Sequence, residues 1–279
     1  MVTGRRSRMR RNIGISVAVA VLLIWSLVPV YWIFITSFKH EQEIYAFPPT
    51  FFPLAPTLDQ YVAVLFHTGF PVFIRNSFVV AAGTTLIAAA GGLLGAFAIT
   101  RMRFVGRATV ARLIVVAYLL PPSLLFIPLF IVLQRLSLIN SLPGLIVAYL
   151  TFSMPFSTWM LIGHIRTIPS ELDEAARIDG ASRLQVLLRV ILPLTLPGLS
   201  VVCLFAFTNA WNEFLYALVY VYSSSTRTIT AGLASLTMGD TFIWGQLMAA
   251  SVLAIVPVLV IYLVAQRWLI AGLTSGSIK

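Results

Sequence analysis

Charged residues are scarce in this sequence: Asp, Glu, Lys and Arg together make up 10% of its 279 residues. Soluble globular proteins carry about 25% charged residues, whereas 59% of this chain is hydrophobic. Such a composition cannot cover a water-facing surface, so it excludes an ordinary soluble domain. Together with a mean hydropathy of +0.95, the long apolar runs predict an all-α, multi-pass membrane protein.

Residues that hold metals, form disulfides or bind nucleotides are also few. Because Cys203 is the one cysteine, an intrachain disulfide and a cysteine metal cluster are excluded. The three histidines lack ligand spacing, so no metal site is predicted. A nucleotide-binding P-loop needs Gly-Lys followed by Ser or Thr, but Lys39 and Lys279, the two lysines, follow Phe38 and Ile278. The chain is therefore expected to hold no cofactor and to hydrolyse no ATP.

Six apolar runs are long enough to cross a bilayer, which needs about 20 residues per helix. The runs cover 13–36, 73–100, 108–133, 144–165, 194–221 and 245–269. The second is rich in Gly and Ala, which predicts close contact between helix backbones. The third contains Pro121-Pro122 and Pro128, so it is expected to be kinked and packed in the helix bundle.

The positive charges lie mostly on one side of this topology. Fifteen of the 19 Lys and Arg residues fall at the termini or in the predicted inner loops, and the outer exceptions are Lys39, Arg75, Arg135 and Arg227. By the positive-inside rule, both termini are expected to be cytoplasmic. The net charge of +10 therefore needs no nucleic-acid partner. The predicted divisions are 1–72 (tail, first helix and outer loop), 73–270 (core helices) and 271–279 (tail).

Between the fourth and fifth runs, Glu171–Pro193 is too polar to sit in lipid. Ser170 is predicted to cap a short helix whose first turn is acidic, and Gly180 to end it. Ser182 is predicted to cap a second helix that runs towards Leu192. These signals favour a helix–turn–helix elbow on the cytoplasmic side, although an amphipathic loop on the lipid surface fits the same residues.

Within the elbow, Glu174-Ala175-Ala176 is followed by Gly180 and, after nine further residues, by Val190-Ile191-Leu192-Pro193. This spacing resembles the EAA loop of permease subunits of binding-protein-dependent ABC importers, which usually have Ile where this chain has Val190. The resemblance implies a type I importer permease whose elbow binds a cleft on a separate ATPase subunit. The coupling residues that it implies are Glu174, Ala175, Ala176, Gly180, Leu192 and Pro193.

The fifth run contains a polar group, Asn209, Asn212 and Glu213, beside Trp211. A carboxylate within a span is costly, so it usually faces a cavity or a partner rather than lipid. An indole beside polar amides suits a sugar, which offers hydroxyls for hydrogen bonds and an apolar face for stacking. These four residues are the predicted substrate pathway. Two simpler interpretations stay open: the polar residues bond neighbouring helices, or the indole belongs to the interfacial aromatic belt.

This segment resembles the WNEF-type motif of sugar permeases. Asn76-Ser77, Pro121-Pro122 and the ending Ala271–Gly276 are similar to permeases of the maltose and trehalose type. The resemblance implies a non-catalytic subunit that imports a di- or oligosaccharide by alternating access across a bacterial plasma (inner) membrane. Its implied partners are a second homologous permease, an ABC ATPase dimer that binds ATP and Mg, an extracytoplasmic sugar-binding protein and membrane lipid.

Two other classes of protein are weighed against this one. An ion-coupled secondary transporter of a small polar solute would carry coupling carboxylates in several spans, whereas Glu213 is the one acidic residue within the six runs. A membrane enzyme or quinone protein would show paired histidines or acid clusters within its spans, and the sequence shows neither. Co-purification of an ATPase would separate the importer from both.

Overall fold

The computed structural model of the chain describes residues 3–237 and 243–274, with side chains described for 12–237 and 243–266. The predicted outer loop over 222–244 and the predicted tail over 271–279 thus lie partly outside the described residues. Two compact units are formed, one by Met1–Thr68 with Ser235–Ile255 and the other by Gly69–Ala234 with Val256–Lys279. The predicted division after residue 72 stays a prediction.

The described residues are mostly helical and contain no strand. In chain order the helices are α1 (Thr3–Thr36), α2 (Glu41–Ile44), α3 (Asp59–Phe66), α4 (Phe70–Arg101), α5 (Arg107–Leu119), α6 (Pro122–Arg135), α7 (Leu142–Ile165), α8 (Glu171–Ile178), α9 (Arg183–Val186), α10 (Leu192–Asn212), α11 (Leu215–Tyr220), α12 (Ile229–Ser235) and α13 (Trp244–Thr274). Within the described residues, five segments are long and apolar enough to cross a membrane, and the bent pair α5 and α6 makes a sixth if the two helices form one span. The predicted all-α architecture is confirmed.

The third span bends where the sequence predicts. The chain bends by 101° between α5 and α6, where Leu120 is extended and Pro121 has non-helical backbone angles. Proline disfavours helical geometry at the residue before it and cannot donate a backbone hydrogen bond, so Pro121-Pro122 separates the two helices. The predicted packing is only partly right, because α5 lies against α7 but has no buried side chain.

The fifth span differs from its prediction at both ends. A π-helical turn, Leu187–Ile191, joins α9 to α10, so helix runs continuously over Arg183–Asn212. It then stops at Glu213, whose ψ of 128° is extended, and a separate helix α11 follows. The predicted single run over 194–221 is therefore wrong. No Gly or Pro marks this break; the hydrogen bonds that form around the Glu213 carboxylate account for it.

The first predicted outer loop contains two short helices, α2 and α3. Polar contacts hold it together. The Lys39 Nζ donates to the Thr50 carbonyl at 2.5 Å, the Thr50 hydroxyl donates to the Glu43 carboxylate at 2.6 Å, and the Ser37 and Tyr61 hydroxyls lie 2.7 Å apart. The described part of the predicted outer loop over 222–244 likewise contains α12.

Helices α4, α7 and α10 pack together as the core of the second unit. The predicted close approach is confirmed at Gly92, where an added Cβ would lie 2.8 Å from the Ser157 Cβ and 3.1 Å from the Ser157 backbone. Only glycine therefore lets α4 and α7 come this close.

At the cytoplasmic end predicted for these helices, buried Phe97, Ile165 and Ile168 join Val186 and Leu187 in one cluster, so the elbow is part of the core packing.

Candidate functional site

Helix α8 of the elbow ends in a hydrogen-bonded turn that glycine permits. Gly180 has φ +83°, a left-handed conformation that costs other residues more. Its N–H donates to the Arg177 carbonyl at 3.1 Å, and the Ala181 N–H donates to the Ala176 carbonyl at 2.9 Å. These two bonds form a Schellman motif, so the predicted helix end at Gly180 is confirmed.

The two predicted serine caps have different outcomes. Ser182 forms a full capping box with Gln185, since its Oγ accepts the Gln185 N–H at 3.3 Å and the Gln185 Oε1 accepts the Ser182 N–H at 2.7 Å. The prediction for Ser170 is wrong, because its side chain makes no cap bond. Ser170 already has helical backbone angles, which differ from the extended conformation typical of a capping residue; its carbonyl instead accepts the Asp173 N–H at 3.0 Å.

The predicted coupling residues divide into an exposed set and a packed set. Glu174, Ala175, Gly180 and Pro193 are exposed. Ala176 and Leu192 are half-buried and pack against the core cluster. The small size of Ala176 is thus explained by the chain's own packing, whereas that of Ala175 is not.

The elbow also exposes apolar side chains that the sequence motif does not mark as functional. Ile178 is 86% exposed, and Leu172, Leu184 and Leu188 are exposed as well. Apolar residues in a short polar helix were the signal that could have identified them. In this chain alone they contact too little to explain their presence, so they are candidates for a partner's contact surface.

A buried ion pair, which the sequence pattern does not predict, anchors the elbow. The Arg101 Nε at the end of α4 lies 2.6 Å from the Asp173 Oδ2, and the two side chains are 13% and 12% exposed. The Arg101 Nη2 also donates to the carbonyls of Ile165 at 3.3 Å and Ile168 at 2.6 Å. Burial raises the pKa of the Asp173 carboxyl above its usual range, and the adjacent Arg101 guanidinium opposes that rise.

The Glu213 carboxylate is engaged in hydrogen bonds at the break in the fifth span. The Tyr149 hydroxyl donates to its Oε2 at 2.8 Å. The backbone N–H groups of Tyr216 and Ala217 donate to Oε1 and Oε2, each at 3.0 Å. The carboxylate therefore satisfies the free N–H groups that begin α11 and interacts with the positive end of that helix.

The other predicted pathway residues separate along α10. Asn209 and Asn212 are exposed, and the Asn209 amide donates to the Phe205 carbonyl one turn back at 2.9 Å. Trp211 is 2% exposed and stacks on Phe207 with ring centroids 5.6 Å apart. The structure thus leaves the two amides exposed and places the indole inside the packing. The substrate-pathway assignment stays a prediction.

Two asparagines on the predicted outer side fix the segment that follows α11. The Asn140 Oδ1 accepts from the N–H groups of Tyr222 at 3.1 Å and Ser223 at 3.0 Å, and from the Thr226 hydroxyl at 2.8 Å.

The Asn76 amide donates to the carbonyls of Ser225 at 2.8 Å and Arg227 at 2.9 Å. Asn76 was noted from the sequence only as part of a motif; its bonds explain why a polar residue is buried there.

The fold and this site define a multi-pass membrane protein, in which a polar elbow is anchored to a core of apolar helices. Residues 89–275 match the family model described as "Binding-protein-dependent transport system inner membrane component". The chain belongs to this family. It is a membrane permease subunit, not an enzyme.

Curated relatives extend over almost the whole chain. The inner membrane ABC transporter permease protein YcjP of Escherichia coli (strain K12) is 36% identical over 281 residues, 100% of both chains. The sulfoquinovosyl glycerol transport system permease protein SmoH of Agrobacterium fabrum is 36% identical and covers 94% of this chain and 92% of its own length. The trehalose/maltose transport system permease protein MalG of Thermococcus litoralis is 31% identical and covers 98% and 99%.

A solved structure has the same fold. One chain of a bacterial ABC transporter involved in the import of the acidic polysaccharide alginate superposes with a TM-score of 0.81. The two sequences are 22% identical, and the match covers 95% of this chain and 98% of that one. The predicted fold of an ABC importer permease is confirmed.

Proposed function

We propose that this chain is the transmembrane permease subunit of an ATP-driven importer that moves a di- or oligosaccharide into the cytoplasm by alternating access. The anchored elbow, with its exposed apolar residues, is the observation that carries the importer part of the proposal. The saccharide class rests on full-length similarity to permeases named for trehalose/maltose and sulfoquinovosyl glycerol transport.

Energy enters through the elbow in this proposal. The exposed Ile178, Leu184 and Leu188 supply apolar contact area for a cleft on an ATPase subunit, and the exposed Glu174 can pair with a basic group beside that cleft. ATP and Mg are bound by the ATPase dimer, because this sequence has no P-loop. The permease itself binds no cofactor.

The remaining partners are inferred from surfaces and charge. The second homologous permease and membrane lipid share the apolar faces of helices such as α5, which has no buried side chain. The extracytoplasmic sugar-binding protein meets the outer loops. Both termini are cytoplasmic, since the basic residues of the sequence concentrate on that side, and no nucleic acid is involved.

An ion-coupled transporter is not favoured by the geometry. Such a transporter needs a carboxylate that exchanges an ion or a proton with the solute path. Both carboxylate oxygens of Glu213 instead accept hydrogen bonds from Tyr149 and from the backbone of α11. Its engagement supports a role in holding the break between α10 and α11.

Reconstitution tests the proposed function directly. The purified chain alone should hydrolyse no ATP, and liposomes that contain it together with the second permease, the ATPase and the binding protein should take up labelled sugar only when ATP is supplied. A protonophore and a sodium ionophore serve as controls and should leave the initial uptake rate unchanged. ATP hydrolysis by the chain alone, or uptake driven by an ion gradient without ATP, would contradict the proposal.

Substituting Glu213 separates a packing role from a pathway role. We expect Glu213→Gln to weaken the complex in detergent, because one oxygen becomes an amide donor that faces a hydroxyl or N–H donor; hydrogen bonds to charged groups are worth about 1.5–3 kcal/mol. The measurement is the melting midpoint of the assembled complex, with exposed Asn212→Gln as the matched control. Normal assembly of Glu213→Gln with altered sugar selectivity would support the pathway role instead.

A further inference from the structure

One arginine side chain contacts three segments at the predicted cytoplasmic end of the core. Arg101 is the last residue of α4. Its guanidinium meets the Asp173 carboxylate of α8, the Ile165 carbonyl at the end of α7, and the Ile168 carbonyl in the turn that joins them. We name this set of contacts the Arg101 junction.

The polarity of the Arg101 junction matches the helices that it joins. The last carbonyls of α7 carry the negative end of that helix dipole and lack partners within the helix, so a cation is favourable there. Asp173 lies in the first turn of α8, where a carboxylate is favourable for the opposite reason. The guanidinium therefore lies between two groups of negative character that belong to consecutive helices.

Burial distinguishes this pair from an ordinary surface ion pair. Exposed pairs contribute little because water screens them, but both side chains here are largely removed from solvent. Little water is therefore present to replace either partner when the other is made neutral. A planar guanidinium can also donate in several directions at once, which an ammonium cannot do with the same geometry.

We infer that Arg101 is a positioning residue that transmits movement of the elbow to α4 and α7. The inference rests on the proposed function, since it assumes that an ATPase moves the elbow. Helix α8 and the turn that follows it reach the core mainly through small side chains: Ala176 of α8 and Ala181 of the turn are half-buried against the cluster. The Arg101 junction adds a directional connection from α8 to α4, whose backbone is in close contact with α7 at Gly92. A force on α8 therefore reaches two core helices through this one side chain.

The competing explanation is that apolar packing alone holds the elbow. Val186, Leu187 and Ile191 are buried in the same cluster as Phe97 of α4, and they could carry the movement through the second elbow helix. The two explanations predict different transport when the ion pair is removed and the packing is kept.

The test uses the assembled importer in liposomes, with Arg101→Gln, Asp173→Asn and the double variant. Arg103→Gln is the matched control, because Arg103 is exposed two residues further along. Each preparation is measured for permease level, ATPase capture, ATP hydrolysis and sugar imported per ATP. We expect normal capture and hydrolysis in both single variants, with sugar per ATP reduced about tenfold, and no further reduction in the double variant, since residues in one contact couple strongly.

Each other outcome has a defined meaning. The inference is overturned if Arg101→Gln imports as much sugar per ATP as Arg103→Gln, or if the two single effects add in the double variant. It is also overturned if both single variants fail to accumulate or to capture the ATPase, because the pair would then serve folding or assembly alone. Failure of the wild-type complex to import sugar with ATP would instead count against the proposed function.

Discussion

Replacing Ile178 with glutamate is expected to abolish ATPase capture and sugar uptake while leaving the level of the permease in the membrane unchanged. Ile178 is 86% exposed, so its substitution removes little from the fold of the chain itself. In an interface, a central apolar side chain can be a hot spot worth about 2 kcal/mol or more, and a glutamate there would also bury a charge without a partner. The measurements are pull-down of the ATPase and ATP-dependent uptake.

The matched control for this substitution is Val105→Glu. Val105 is a fully exposed apolar residue in the short connection between α4 and α5, on the same predicted side of the membrane but outside the elbow. The Val105→Glu permease should bind the ATPase as the wild type does. If Ile178→Glu and Val105→Glu behave alike, the exposed apolar side chains of the elbow are not the contact surface.

Ala175, rather than Ala176, is the alanine whose substitution would test docking of the ATPase. A bulky residue at Ala176 would disturb the core cluster against which this side chain packs, so its effect would mix folding with docking. Ala175 is exposed, and a tryptophan there would test the space available beneath the partner alone.

A proline at Gly180 is expected to cause the second large loss, in uptake and in ATPase capture together. Proline fixes φ near −65°, whereas Gly180 has φ +83°, and proline also removes the N–H that donates to the Arg177 carbonyl. The Schellman motif would be lost, and the chain would leave α8 in a different direction. The permease level in the membrane should stay close to that of the wild type, because Gly180 is exposed.

Two further substitutions at this position separate backbone strain from crowding. An added Cβ at Gly180 would meet nothing within 4 Å, so any effect of a small side chain comes from the left-handed backbone. Asparagine tolerates that conformation and should retain most uptake, whereas valine should lose much more, since a left-handed residue costs roughly 1–2 kcal/mol. Equal uptake by the proline, valine and asparagine variants would show that the turn geometry is not needed.

Features set by neighbouring residues could be predicted from the sequence. The bend at Pro121-Pro122, the end of α8 at Gly180 and the capping box at Ser182 each depend on a few adjacent positions, and the structure has all three. The prediction for Ser170 failed because capping depends on the backbone angles of the residue as well as on its side chain.

Features that depend on distant partners could not be predicted in this way. Arg101 and Asp173 meet only because α4 and the elbow fold together, and each has an ordinary role when taken alone: a basic residue at a membrane surface, or an acid in a first helical turn. The break at Glu213 likewise depends on Tyr149, which lies on another helix. The burial of Trp211 against Phe207 depends on which face of α10 packs against the other core helices. An apolar run with little periodicity does not specify that face.

The continuity of helix over Arg183–Asn212 has a mechanical consequence. The segment has 30 residues, so at 1.5 Å per residue it acts as a lever about 45 Å long. Its short arm is the second half of the elbow, and its far end carries the exposed amides of Asn209 and Asn212. A tilt of about 5° about the point where α10 begins would move that far end by about 3 Å, given the 21 residues of α10 and this helical rise. The break at Glu213 ends the lever at this point, so a small rotation of the elbow becomes a displacement of a few ångström at the exposed amides, given the helical rise.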